Sequence, residues 1–259
     1  MDYPLLIDRV VLVVHDLAGV RDFYRDVIGL EVLASDSEVA ALGAGSTPLV
    51  ELRRDPGARR ASARDAGLYH TAFLLPSRAA LGAWLRHAAA RQVALQGATD
   101  HGVSEAVYLA DPEGNGIEIY ADRPESTWPR EGDRIPMTSD PFDFDAVMAL
   151  PGDWRGAPDG TVIGHLHLAT GDVEPVSRLF RDWGMVETLR APGGVWFGAG
   201  GYHHQLAANT WKSRGAGPRR FPATGLAEYH LSVAPGFLPA GLTQDADGTP
   251  VRIRERTTP

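Results

Sequence analysis

Any metal this chain binds must rest on nitrogen and oxygen donors, because the sequence has nine histidines and no cysteine. Thiolate-held zinc, iron–sulfur clusters and disulfides are thereby excluded. Residues able to do chemistry concentrate between Thr99 and Glu118, where His101, Val107-Tyr108, Asp111-Pro112, Gly114 and Glu118 follow one another. The stretch reads as a strand ending at Tyr108, a turn over Asp111 to Gly116, and a return strand. Ile117 and Ile119 flank Glu118, so strand alternation sends the carboxylate to the face opposite them. With the isoleucines in a core, Glu118 faces whatever cleft a curved sheet makes; a hairpin with an exposed glutamate is the plainer alternative. His70 lies between Tyr69 and Thr71, and His165 shares a strand face with His167. Each of these, taken alone, suits a buried hydrogen-bonded core position as well as a ligand. Tyr202-His203-His204 adds a doublet whose rings point to opposite strand faces, so only one can enter a cleft. An imidazole near its ordinary pKa of about 6.5 both accepts and returns a proton at neutral pH.

An internal repeat supplies the elements that would position these groups. Arg9 to Asp16 is a short apolar strand, and Val20, Phe23, Tyr24 and Val27 then recur at helical spacing before a strand at Leu30 to Leu33. The same grammar returns at His165 to Asp172, with Val176, Leu179, Phe180 and Trp183 as the helical face and Gly184 to Glu187 after it. A third copy opens at His70 to Ser77, with a helix from Leu81 to Ala90 and strands near Val93, Val107 and Ile117. The fourth opens at Leu226 to Val233, and Pro235 and Pro239 predict that its helix is missing or reduced. The expectation is an α+β chain of four tandem βαβββ units, the last shortened, forming two curved mixed-sheet modules. Residues 1–124 would form the first half, 125–160 a Pro-, Asp- and Gly-rich connection over the surface, and 161–259 the second half.

On His101, Val107-Tyr108, Asp111-Pro112, Gly114 and Glu118, the chain resembles the extradiol ring-cleaving dioxygenases. These are members of the vicinal oxygen chelate, or glyoxalase–bleomycin resistance, superfamily. From residue 7 to about 233 it looks like the bacterial catechol 2,3-dioxygenases. That resemblance implies paired βαβββ units and a metal held by two histidines and a glutamate, leaving positions for both oxygens of a catechol and for O₂. The family sets its histidines three residues before a Leu/Phe position on the opening strands; here that position holds Arg9, His70, His165 and Glu228. The implied ligands are therefore His70, His165 and Glu118. They come from units two and three instead of the commoner three and four, which requires those two units to share a cleft. Fe(II) is the implied metal, with Mn(II) as the alternative. His204 matches the acid–base histidine that serves O₂, with His203 as a ligand the other reading of the doublet. Tyr108 matches the tyrosine that hydrogen-bonds the substrate, and His101 the histidine on its deprotonated side. Trp196, Phe197 and Trp211 are expected as apolar walls for a flat ring, core packing being the alternative for each.

The remaining composition narrows the field. A net charge of −8 argues against nucleic-acid binding, which needs a clustered basic face. No run approaches the ~18 apolar residues of a membrane span, and no secretory leader is evident, so the cytoplasm is the expected location. No phosphate loop, dinucleotide fingerprint or nucleophile elbow occurs. His15, His87 and His230 have no evident partner and read as structural; Arg53, Arg54, Arg59, Arg60 and Arg64 read as solvated loop residues. The partners expected are a small aromatic diol and O₂, with a homo-oligomer implied by family. Two rival functions are a glyoxalase-like isomerase or lyase, which commonly uses a second carboxylate ligand, and a metal-free small-molecule binding or resistance protein.

Overall fold

A computed structural model describes residues 3–257. It opens with β1 (Leu5–Val14) and α1 (Leu17–Phe23), where the Asp16 carboxylate caps the helix by accepting from Gly19 N at 3.0 Å. The helix loosens into a π-helical turn (Tyr24–Ile28) that Gly29 stops at φ 85°. Three strands follow, β2 (Glu31–Ser35), β3 (Val39–Ala44) and β4 (Thr47–Arg54), and β4 returns parallel to β1. A parallel return needs a crossover, which α1 provides.

The pattern recurs in β5 (Gly67–Leu74), α2 (Arg78–Ala90), β6 (Gly97–Asp100), β7 (Ser104–Ala110) and β8 (Gly116–Asp122), with β8 parallel to β5. Val93 is not in a strand but in the turn after α2, because three residues of return still precede Gly97. A 3₁₀ turn (Glu125–Thr127) and α3 (Phe144–Met148) lie in the connection. Then come β9 (Val162–Ala169), α4 (Val173–Asp182), β10 (Val186–Ala191), β11 (Gly194–Gly198) and β12 (Leu206–Asn209), with β12 parallel to β9. The chain closes with β13 (Gly225–Val233), β14 (Gly241–Gln244) and β15 (Pro250–Glu255), and no helix lies among them.

These strands form one mixed sheet, ordered β14-β15-β13-β1-β9-β5-β8-β7-β6. The ribbon β4-β3-β2 branches from β1, and β12-β11-β10 branches from β9. The two key pairings are antiparallel: β1 lies against β13, and β5 against β9. Each joins an early strand to a late one, so strand pairing crosses the sequence halves.

Helices cover the apolar faces. Trp84 of α2 is fully buried and its indole N–H donates to Val27 O at 3.0 Å, fixing α2 on the π-helical turn. Phe180 of α4 packs against Phe197 with ring centroids 5.5 Å apart. Ile117 and Ile119 are in the main core. The connection is more than a surface path, because Trp128 and Ile135 are buried in a cluster with Val103 and Tyr202. No helix among the described residues is long and apolar enough to cross a membrane.

Candidate metal centre and its cavity

Three adjacent strands build the centre. In the β5–β9 ladder His70 lies opposite His167 and Ala72 opposite His165, while Ala72 is also the neighbour of Glu118 on β8. Alternation puts His70, Ala72, Glu118 and His165 on one face. The small Ala72, fully buried, leaves the space between the larger side chains open.

His70 Nε2 is 3.0 Å and His165 Nε2 3.1 Å from Glu118 Oε2, and the two nitrogens are 3.2 Å apart. Ligands ~2.1 Å from one ion and at right angles lie about 3.0 Å apart, so these three atoms have the shape of one octahedral face. The donors fit a divalent cation of the two-histidine, one-carboxylate kind. All three side chains are buried, and burial pushes the His165 pKa down to about 4, keeping it in the neutral form that a metal needs. For Glu118 burial alone would raise the carboxyl, but His165 and His70 beside it hold it well below the ordinary carboxylate range. His165 Nδ1 is buried without a hydrogen-bond partner. Its ring is held by packing against Tyr120 and His204, with centroids at 5.0 and 4.2 Å. Gly164 makes room for this, since a Cβ there would meet the Tyr120 hydroxyl at 1.8 Å.

Two hydrogen-bonded chains flank the triad. Thr138 O can only accept, so the neutral His101 ring carries its hydrogen on Nδ1 (2.7 Å) and its Nε2 accepts from the Tyr108 hydroxyl, also at 2.7 Å. Burial, and then the Glu118 charge, push the Tyr108 pKa well above 10.0. On the other side Asp122 Oδ1 accepts from His203 Nε2 at 3.0 Å. The neutral His203 ring then offers Nδ1 as acceptor, and His204 Nδ1 donates to it at 2.8 Å. His204 is left with a bare Nε2, and burial first, then His165, lower its pKa well below 6.5. Asp122 Oδ2 also accepts from Tyr202 at 3.0 Å, and Tyr202 meets the Tyr120 hydroxyl at 2.8 Å.

The triad opens on a cavity of about 970 Å³. His101, Tyr108, His204, Trp196 and Trp211 line it together with the three triad side chains. Phe197 does not: it is fully buried in the core, because neighbouring residues on β11 face opposite ways and Trp196 takes the cavity side. His203 also stays behind the wall, fully buried against Asp122. The sequence placed His167 on the strand face of His165, but assigned no role to Tyr69, Asp122, Tyr120 or Tyr202 around the centre. His167 is held by the Asn209 amide at 2.9 Å and stacks beside Tyr69 at 5.0 Å. Tyr69 joins the wall because the ladder shifts register between Leu68 and His70, which breaks the alternation that would have turned it away. Asp122, Tyr120 and Tyr202 left no local signal, since their contacts span distant segments. His15, His87 and His230 lie outside the centre; His15 and His87 bond to backbone carbonyls, of Ala58 at 2.8 Å and Asp26 at 2.9 Å.

Comparison with known proteins agrees with this architecture. Residues 6–119 match the Glyoxalase/Bleomycin resistance protein/Dioxygenase superfamily. A catechol-2,3-dioxygenase from Bacillus subtilis (strain 168) is 39% identical over 233 residues, covering 86% of this chain and 81% of that protein. Among solved structures, a dioxygenase candidate from Bacillus subtilis subsp. subtilis str. 168 superposes with TM-score 0.67 at 14% identity, over 98% of this chain and 86% of that one. A mutant glyoxalase I from Zea mays gives TM-score 0.57 at 13% identity, over 97% and 94%. The solved structures show the shared fold and the close relative shows the branch: the chain belongs to the Glyoxalase/Bleomycin resistance protein/Dioxygenase superfamily, among the relatives of catechol-2,3-dioxygenase.

Proposed function

We propose that this protein is an Fe(II)-dependent extradiol dioxygenase that opens a catechol-type ring next to the diol, placing both atoms of O₂ in a muconic semialdehyde-type product. The observation that carries the reading is the octahedral-face geometry of His70, His165 and Glu118 at the floor of a cavity large enough for an aromatic diol. Iron, when bound there, supplies a Lewis acid for the diol oxygens and an electron source for O₂; Mn(II) satisfies the same donors. No second carboxylate belongs to the cluster among the described residues, which favours this reading over a glyoxalase-like one.

The chain's own groups have separate tasks. Tyr108 orients one diol oxygen, and the proton released on binding passes through its hydroxyl to His101 Nε2, whose other nitrogen Thr138 O keeps protonated. His204 Nε2, free on the opposite side of the cavity, would take the second diol proton and return it to an oxygen anion developing there. His203 and Asp122 hold His204 in the tautomer with that nitrogen free. Trp196 and Trp211 wall the flat ring and displace water. The chain is read as four units, with one paired to four and two paired to three, acting in the cytoplasm as a homo-oligomer.

The test is O₂ uptake by anaerobically Fe(II)-loaded protein given a panel of catechols, with a yellow ring-opened product. Uptake should vanish, together with bound iron, in His70→Ala, His165→Ala and Glu118→Ala. Protein that retains no metal after loading would refute the proposal.

A further inference from the structure

The cavity holds a cation that the reaction leaves unused. Arg219 lines it and is only 9% exposed. Its guanidinium has five N–H donors. Nη1 donates to Ala66 O at 3.0 Å and Nη2 to Thr224 O at 2.8 Å, while Nε is buried with no partner. No carboxylate among the described residues lies within 4.0 Å of it. Asp65 and Asp245 act on it only from farther away, and Asp65 is already engaged by Arg59 at 2.7 Å and Ser62 N at 2.8 Å. Burial lowers the Arg219 pKa, although a guanidinium stays charged at any working pH. A buried cation without an anion is costly to keep.

The backbone is shaped around this group. Gly67 and Gly225 both have positive φ, and a Cβ on Gly67 would stand 2.3 Å from Nη1. Phe221 supports the guanidinium plane from 5.3 Å. Lys212, the chain's one lysine, is on the same cavity and makes no ion pair among the described residues. Gly67 opens the strand that carries His70 three positions on. Across the register shift Gly67 pairs with Ala169 and His70 with His167, two residues along β9, so at ~3.3 Å per residue the cradle of the cation is about 7 Å along the sheet from the position that carries His70. A catechol ring with a side chain of about two or three carbons spans that gap.

We propose that Arg219 determines specificity, and that the substrate is a catechol whose side chain ends in a carboxylate or similar anion. This rests on the ring-cleaving function proposed above, so its test separates binding from turnover. The probes are 3-(3,4-dihydroxyphenyl)propanoic acid, its 2,3-dihydroxy isomer and the neutral amide of each. Binding to Fe(II)-loaded protein is measured by anaerobic calorimetry, and ring opening by O₂ uptake.

At least one acid should bind about tenfold tighter than its amide, as expected for a charge-assisted contact. That ratio should fall toward one in Arg219→Gln and recover in part in Arg219→Lys. Because each ratio is internal to one variant, general damage cancels, and the wild-type comparison needs no variant at all. Equal binding of acid and amide in both isomers, no binding of any of the four, or a ratio unchanged by Arg219→Gln would each overturn the proposal. An acid preference without ring opening would remove the reaction and leave the anion site standing.

Discussion

Asp122 is where stability and turnover are joined, and Asp122→Ala should damage both. The carboxylate accepts from His203 Nε2 and from Tyr202 Oη, each at 3.0 Å. Tyr202 keeps the Tyr120 hydroxyl at 2.8 Å, but His203 is fully buried and its Nε2 loses the one acceptor it has among the described residues. A stranded buried donor costs ~1–3 kcal/mol and a lost hydrogen bond ~1 kcal/mol, so about 3 kcal/mol is expected. Asp122 is 21% exposed, and water reaching the gap would trim this toward the lower end. For a chain of this size the loss corresponds to a fall in Tm of roughly 6–12 °C. The chemical consequence follows from tautomers. With the acceptor gone, His203 is free to move its hydrogen to Nδ1, which then opposes the hydrogen on His204 Nδ1 at 2.8 Å. His204 escapes by shifting its own hydrogen to Nε2, filling the lone pair that faces the cavity. Since acid–base catalysis contributes roughly 10²–10⁴, kcat should fall by about a hundredfold or more, with a smaller change in KM. Asp122→Asn retains an acceptor for His203 and should lose only about tenfold. Differential scanning calorimetry and steady-state O₂ uptake read the two effects. A wild-type kcat in Asp122→Ala, or equal losses in the alanine and asparagine variants, would refute the tautomer argument.

Other outcomes are equally specific. Tyr108→Phe removes the hydroxyl that His101 Nε2 accepts and should lower kcat/KM for catechol by about 10- to 100-fold, with iron content by metal analysis unchanged. Trp84→Ala empties the space under α2 and should cost ~3–5 kcal/mol in denaturant unfolding, with the Val27 carbonyl left bare. Asp245 is raised from 3.8 to about 6 by burial, so its contribution to stability is full below pH ~4 and is lost as pH rises through 6. Asp245→Asn should therefore raise Tm more at pH 7.5 than at pH 4, as thermal scans across that window would show.

Much of this was legible in the sequence because the centre is written in the repeat. His70 and His165 occupy matching positions on opening strands, and Glu118 stands between two core isoleucines. It was the family resemblance, not alternation alone, that joined them as a proposed ligand set, and the folded chain brings the three side chains together. What could not be read depends on breaks in alternation or on long-range closure. Trp196 and Phe197 were grouped as walls, yet adjacent residues cannot share a strand face. Tyr69 enters the wall through a register shift, which leaves no compositional mark. Asp122 reaches His203 only because β8 and the segment before β12 meet in the folded chain. The connection was read as a surface path because Trp128 and Ile135 are isolated apolar residues in a polar stretch, and isolated residues give no period.

The order of strand pairing has a consequence for how the chain comes into being. The contacts are nested like brackets: β5 meets β9 inside a span that β1 and β13 enclose. As the chain leaves the ribosome, the inner bracket can close once Ala169 has emerged, and the three candidate ligands are then all present. The outer bracket must wait for Gly225–Val233, so one side of the apolar β1 stays without its neighbour for most of synthesis. Loop closure over so long a separation is slow, and an open strand edge is a template for misassembly. Early metal capture would give the growing chain a folded centre while its first strand still awaits its last partner.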